Sequence, residues 1–157
     1  MIAPRPESYV PATPADLVCD ALAGILDGVP EIRDFFEVLP QWDDAPRSGA
    51  FCAVTCSEGD GVAGEDDGIF APAVDFTVGL FAAQGGTLDA AGFHAARRAV
   101  NALVQGTPAL RRALLALVPC GTLYVAASPA ESGADGARLV ATWRGSVLLA
   151  SNPFSSH

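Results

Sequence analysis

The residue types best suited to chemistry sit together in GFHAARRAVNALVQG, residues 92–106, where His94 lies beside Arg97 and Arg98. A histidine titrates near neutral pH and paired arginines bind carboxylate or phosphate, so the stretch has to be weighed as an acid–base or anion site. At about 100° per residue, Phe93, Ala96, Val100, Leu103 and Val104 fall on one stripe of a helix. His94, Arg98, Asn101 and Gln105 share a neighbouring polar stripe, with Arg97 between the two. Acid–base catalysis needs a carboxylate to orient the histidine or a nucleophile for it to activate, and no motif in the chain supplies either. The stretch therefore reads as an amphipathic helix whose wet side faces solvent or an interface.

Other constellations give no catalytic site. Cys52 and Cys56 in AFCAVTC point to one face of a strand but lie about 13 Å apart at about 3.3 Å per residue, too far to bridge. With Cys19 and Cys120 they show no C-x-x-C or Cys/His spacing, so they read as small buried thiols in a reducing compartment, without metal. EGDGVAGEDDG, residues 58–68, holds Asp60, Glu65, Asp66 and Asp67, but not the order of acids that an EF-hand needs. Gly85 and Gly86 precede a helix without forming GxGxxG or GxxxxGK[ST]. G-x-S-x-G and H-E-x-x-H are absent as well. No catalytic, cofactor-binding or metal-binding residue is assigned.

The elements that would carry these residues follow from punctuation and period. MIAPRPESYVPA, residues 1–12, has three prolines and no period, and reads as a flexible arm. Thr13-Pro14-Ala15-Asp16 is a helix start, and Leu17, Val18, Ala21, Leu22, Ile25 and Leu26 repeat at helical spacing up to about Asp27, with Gly28 as the stop. Strands are expected at 35–39, 49–57 and 72–82, the third with Val74, Phe76, Val78 and Leu80 alternating with polar or small residues. Residues 58–68 then form a long hairpin loop. A helix from about Leu88 to Gln105 and a shorter one restarting at Thr107-Pro108 follow, the second with Leu110, Leu114, Leu115 and Leu117 as its apolar side and Arg111 and Arg112 outside. Residues 122–128 and 138–151 form a closing hairpin across a turn-rich ESGADGA. The order α-β-β-β-α-α-β-β predicts one α+β domain over 13–151: a largely antiparallel sheet of about five strands, helices on one face, and a tail at 152–157.

A chain of 157 residues, half of them apolar and 17% charged, suits a single filled core and argues against disorder throughout. The longest apolar run is far shorter than a bilayer span, and MIAPRPES lacks the apolar stretch of a secretory signal, so a soluble cytoplasmic protein is expected. The formal charge of −9 argues against a protein that reads nucleic acid through phosphate contacts. It permits one that sits beside DNA without holding it.

The helix DLVCDALAGILDGVPEI, the strands FFEVLPQW, GAFCAVTC and PAVDFTVGLFA, the helix DAAGFHAARRAVNALVQG and the hairpin TLYVAAS…RLVATWRGSVLLAS together resemble the tail terminator (tail completion) proteins of long-tailed bacteriophages and gene-transfer particles. The likeness spans about residues 14–150 and is one of element order and texture; the acidic loop and the proline-rich start depart from it. It implies a non-enzymatic homo-oligomeric ring, typically a hexamer, that caps the tail tube, ends its polymerisation and meets the head–tail connector or neck protein. DNA would pass through without specific binding, and the protein would move from the bacterial host cytoplasm to the tail–neck region of a virion or particle. In a head-to-tail ring unlike surfaces meet, and Glu65, Asp66 and Asp67 against Arg97, Arg98, Arg111 and Arg112 of the next copy are the candidate contact; the plain alternative is that these charges only cover the outside. Two other classes compete: a neck or head-closure adaptor of the same particle, and a small enzyme or ligand-binding domain, for which a deep pocket pairing His94 with a carboxylate would argue.

Overall fold

In a computed structural model the described residues are 2–10, 13–42, 49–63, 70–83, 86, 88–105, 108–117, 123–127, 131–135 and 138–149. The chain forms helices α1 (Pro14–Asp27) and α2 (Pro30–Arg33) and strands β1 (Glu37–Pro40), β2 (Phe51–Ala63) and β3 (Phe70–Ala83). Helices α3 (Ala90–Gln105) and α4 (Pro108–Leu117) come next, and strands β4 (Leu123–Ala127), β5 (Glu131–Asp135) and β6 (Arg138–Leu149) close the fold. This is an α+β protein built on one mixed sheet.

Local chemistry starts the helices where the sequence places them. The Thr13 hydroxyl accepts from the Asp16 amide at 3.2 Å, and Pro14 occupies the first turn of α1. Glu58, on β2, accepts from the Ala15 amide at 3.3 Å, so a carboxylate from the sheet supports the positive end of α1. Asp89 does the same for α3, accepting the Gly92 amide at 2.7 Å.

The sheet runs β1-β2-β3-β6-β4, and β5 also pairs with β6. β2 and β3 are antiparallel from Phe51 opposite Phe81 to Ala63 opposite Phe70, with an irregularity between Gly59 and Val62. β6 lies antiparallel to β3 over its length, and its other edge is shared by β4 at Leu123–Ala127 and β5 at Glu131–Asp135.

Four sequence expectations change here. The sheet has six strands rather than five, because ESGAD, expected as a turn, is extended and pairs with the first half of β6. β1 pairs with β2 in parallel, Glu37 opposite Phe51 and Pro40 opposite Val54, so one pairing of the otherwise antiparallel sheet runs the other way. The expected acidic loop is largely strand, since β2 continues to Ala63 and β3 begins at Phe70. The short helix α2 adds a turn that the sequence order did not contain.

Alternation decides the two faces. Cys52 and Val54 on β2, Val74, Phe76, Val78 and Leu80 on β3, and Ala141, Trp143 and Val147 on β6 are buried. They join the inner sides of α1, α3 and α4, including Val18, Leu22, Leu26, Phe93, Val100, Leu110 and Leu114, in one core cluster. The helices therefore cover one face, as their stripes require. Trp143, fully buried, keeps its indole satisfied by donating to Asn101 Oδ1 at 3.2 Å, which pins α3 to β6.

Candidate functional site

The arginines named from sequence all lie on the helical layer. Arg98 and Arg112 are exposed, whereas Arg97 and Arg111 are half-buried, so the second pair does more than decorate the surface. α3 and α4 pack against each other, which brings the two arginine pairs onto adjoining helices. Neither helix contains an acidic residue. His94 is exposed and touches the edge of Phe93, ring centroids 5.9 Å apart. Glu65, Asp66 and Asp67 lie outside the described residues, and so does Cys120.

A corner that the sequence reading treated as an arm is more densely bonded. Ile2 forms a parallel bridge with Val38, the Ala3 amide donates to the Val38 carbonyl at 2.8 Å, and Ala3 is only 3% exposed. Beyond it, Arg5 pairs with Asp20 of α1 at 3.6 Å, and its guanidinium lies over the rings of Tyr9 (5.1 Å) and Trp42 (5.3 Å). Those rings are tilted against each other at 4.8 Å, and the Tyr9 hydroxyl donates to Asp20 Oδ1 at 3.0 Å. Burial pushes the Tyr9 phenol up, and Asp20 beside it adds to the shift. Burial also raises the Asp20 carboxyl, against the lowering pull of Tyr9 and Arg5. The signals that allow this in sequence are Arg5, Tyr9 and Trp42; their sequence distance from one another hides it.

Pro6, Ser8, Tyr9, Val10, Asp16, Gln41 and Trp42 line a surface cavity of about 380 Å³ at this corner. Gln41 connects it to the sheet: its amide donates to Asp16 Oδ1 at 3.0 Å, while its carbonyl oxygen accepts the Cys56 amide at 2.9 Å.

Behind Gln41 lies a thiol pair. Cys19, fully buried on α1, donates to the Val54 carbonyl at 3.6 Å. The Cys56 hydrogen bond holds the Cys19 thiol below its ordinary range, and the same bond with burial pushes Cys56 up. Cys52, on the same face of β2, is pushed up to about 12 by burial. Cys19, Cys52 and Cys56 are free thiols. The sequence excluded a Cys52–Cys56 bridge, but it had no means of placing Cys19, on another element, against Cys56.

The outer face of the sheet forms the other surface. Phe51 and Phe81 stack at 4.7 Å with an interplanar angle of 19°, and Arg138 lies over Phe51 at 6.0 Å. Val140, which pairs with Phe81, and Thr142 on β6 are half-exposed beside them; towards the far end of the strand Ser146 donates to Asp75 at 2.7 Å and Leu148 is half-exposed.

Among the described residues, no group of three His, Cys, Asp or Glu is arranged to hold a metal ion, and no helix is long and apolar enough to cross a membrane. No protein-family model matches the chain, and neither does any curated protein.

Proposed function

We propose that the chain is a tail-terminator-type assembly protein, a ring subunit that caps a tail tube and joins it to the head connector. The observation that carries the reading is the one-sided sheet, whose helices bury one face and leave Phe51, Phe81, Val140 and Leu148 half-exposed on the other. A ring needs two unlike surfaces per subunit, and this layer offers them: a sheet face with Phe51, Phe81 and Val140 at one end and Asp75, Thr77 and Arg144 further along, and a helical face carrying Arg97, Arg98, Arg111 and Arg112. The arginines would meet Glu65, Asp66 and Asp67 of the next copy. A charge of −9 suits a lumen through which DNA slides, because carboxylates repel phosphate.

The test is co-assembly. Purified protein mixed with tail tubes of its own particle binds tube ends as a ring and fixes tube length. Binding to head connectors without binding to tubes would make it a neck or head-closure adaptor instead.

A further inference from the structure

We propose that the amino-terminal corner is the seat for a second copy of this chain, its cavity taking Arg98 or Arg112 of the neighbouring copy in a head-to-tail contact. The inference rests on the ring reading above and names the surfaces that would meet. Their places in the fold suit it. The sheet path ends in β1 on one side and β4 on the other. The corner belongs to the β1 side: the arm bridges β1 at Val38, and Gln41 and Trp42 follow directly on β1. α3 packs on β6 and α4 on β4, so the arginine pairs ride on the other side, with α1 and α4 in touch between them. Unlike surfaces toward opposite edges of one subunit are what a repeated head-to-tail contact uses.

Charge and shape suit it as well. The corner holds Asp16 and Asp20, with Glu58 at the start of α1 and Glu7 between two cavity-lining residues, Pro6 and Ser8. α3 and α4 carry four arginines and no acid, and Arg98 and Arg112 are exposed. The Tyr9 and Trp42 rings and Asp16 wall the cavity of about 380 Å³, and Arg5 does not line it. Rings beside a carboxylate suit a guanidinium, whose plane stacks on an aromatic face while its N–H groups reach the oxygens. Arg5 shows the same preference within the chain, lying over both rings at 5.1 and 5.3 Å with Asp20 at 3.6 Å. Val10 on the cavity wall is 70% exposed and gives apolar contact beside the charge.

The seat also gives the acidic stretch a place in the contact. Glu58 stands at the corner, and β2 runs on from it to Ala63, two positions before Glu65. The strand that leads to Glu65, Asp66 and Asp67 therefore leaves from the side on which the arginines would arrive.

The experiment cross-links two full-length variants with a short bis-maleimide, both in a Cys120→Ser background. One carries Ser8→Cys on the cavity wall; the other carries Ala102→Cys or Ala109→Cys, exposed positions one turn from Arg98 and Arg112. The expected product is a link between position 8 of one chain and position 102 or 109 of another, mapped by mass spectrometry. Arg98→Glu with Arg112→Glu lowers its yield roughly tenfold or more, and Glu7→Arg with Asp16→Arg on the other chain restores it. Glu7→Arg alone gives a partial rescue, which keeps the test readable if circular dichroism shows that Asp16→Arg unfolds the chain. Links only between like positions or within one chain, or a yield indifferent to the arginine reversals, would overturn the seat. A ring by native mass without the link overturns the seat and leaves the ring reading standing. A linked pair that leaves tail tubes uncapped keeps the seat and removes the tail reading. Monomers at every concentration, with tube ends present, remove both.

Discussion

Replacing Arg5 with alanine probes how the amino-terminal corner is held. Arg5 contributes an ion pair to Asp20 at 3.6 Å, with the Arg5 side chain half-exposed and Asp20 mostly covered, and a guanidinium placed over two rings at 5.1 and 5.3 Å. An ion pair of that exposure contributes about 0–1 kcal/mol. A partly solvated cation–π contact contributes roughly 0.5–1 kcal/mol. The two share one side chain and do not add fully, so Arg5→Ala should cost about 1–1.5 kcal/mol. At a urea slope of about 1–3 kcal/mol/M, the midpoint falls by roughly 0.3–1.5 M. Tyr9→Phe tests the other half of the corner by removing the donor to Asp20 at 3.0 Å. The double variant should then lose less than the sum of the single losses, because both act on Asp20 and on the same ring stack. The assay is urea unfolding followed by tryptophan fluorescence, with Trp42 as a local reporter. A midpoint for Arg5→Ala equal to that of the wild type, or strict additivity in the double variant, would refute the corner as a coupled unit.

Further predictions follow from other sites. The Asp20 carboxyl is raised in the folded state, so its contribution is fully present below the unfolded carboxyl value of about 3.9 and is lost as pH rises through the folded value. Asp20→Asn should therefore flatten the pH dependence of stability across that acid window and change stability at neutral pH by less than about 1 kcal/mol, measured by urea unfolding between acid and neutral pH. Gly79→Ala places a Cβ 2.6 Å from the Phe81 ring, which must leave its stack with Phe51; about 1–3 kcal/mol of stability should be lost, and tube capping should weaken if that face is a contact. Changing Glu65, Asp66 and Asp67 to arginine should weaken ring assembly, and a copy with glutamate at Arg97, Arg98, Arg111 and Arg112 should restore it in mixed rings, with wild-type assembly falling as salt rises. His94→Ala should leave particle assembly intact, since the side chain is exposed and its ring contact is to Phe93 alone among the aromatic contacts described.

What was legible in the sequence was local. Thr13, Pro14 and Asp16 announce α1, and the 3.6-residue stripe of Phe93, Ala96, Val100 and Val104 announces the buried side of α3. The alternation of Val74, Phe76, Val78 and Leu80 names the covered face of β3. What failed depended on long-range pairing. ESGAD carries turn residues, yet it is extended because the free first half of β6 offers it a ladder, so tertiary pairing overrides propensity. The parallel β1 is invisible because period gives no direction. The arm shows no period since it is held by single anchors, Ala3 at the β1 edge and Arg5 between two rings. For the candidate site, Arg97, Arg98, Arg111 and Arg112 were visible as types on helices, whereas the bridging of Asp16 and the Cys56 amide by Gln41 needed the fold.

The central claim is ring formation at a tail-tube end, and the most direct measurement is electron microscopy of tail tubes assembled with and without the purified protein, alongside its native mass. The account predicts a closed ring, a hexamer by mass, seated on the ends of tubes of uniform length. A protein that stays monomeric beside the tubes and leaves their length distribution unchanged would contradict it.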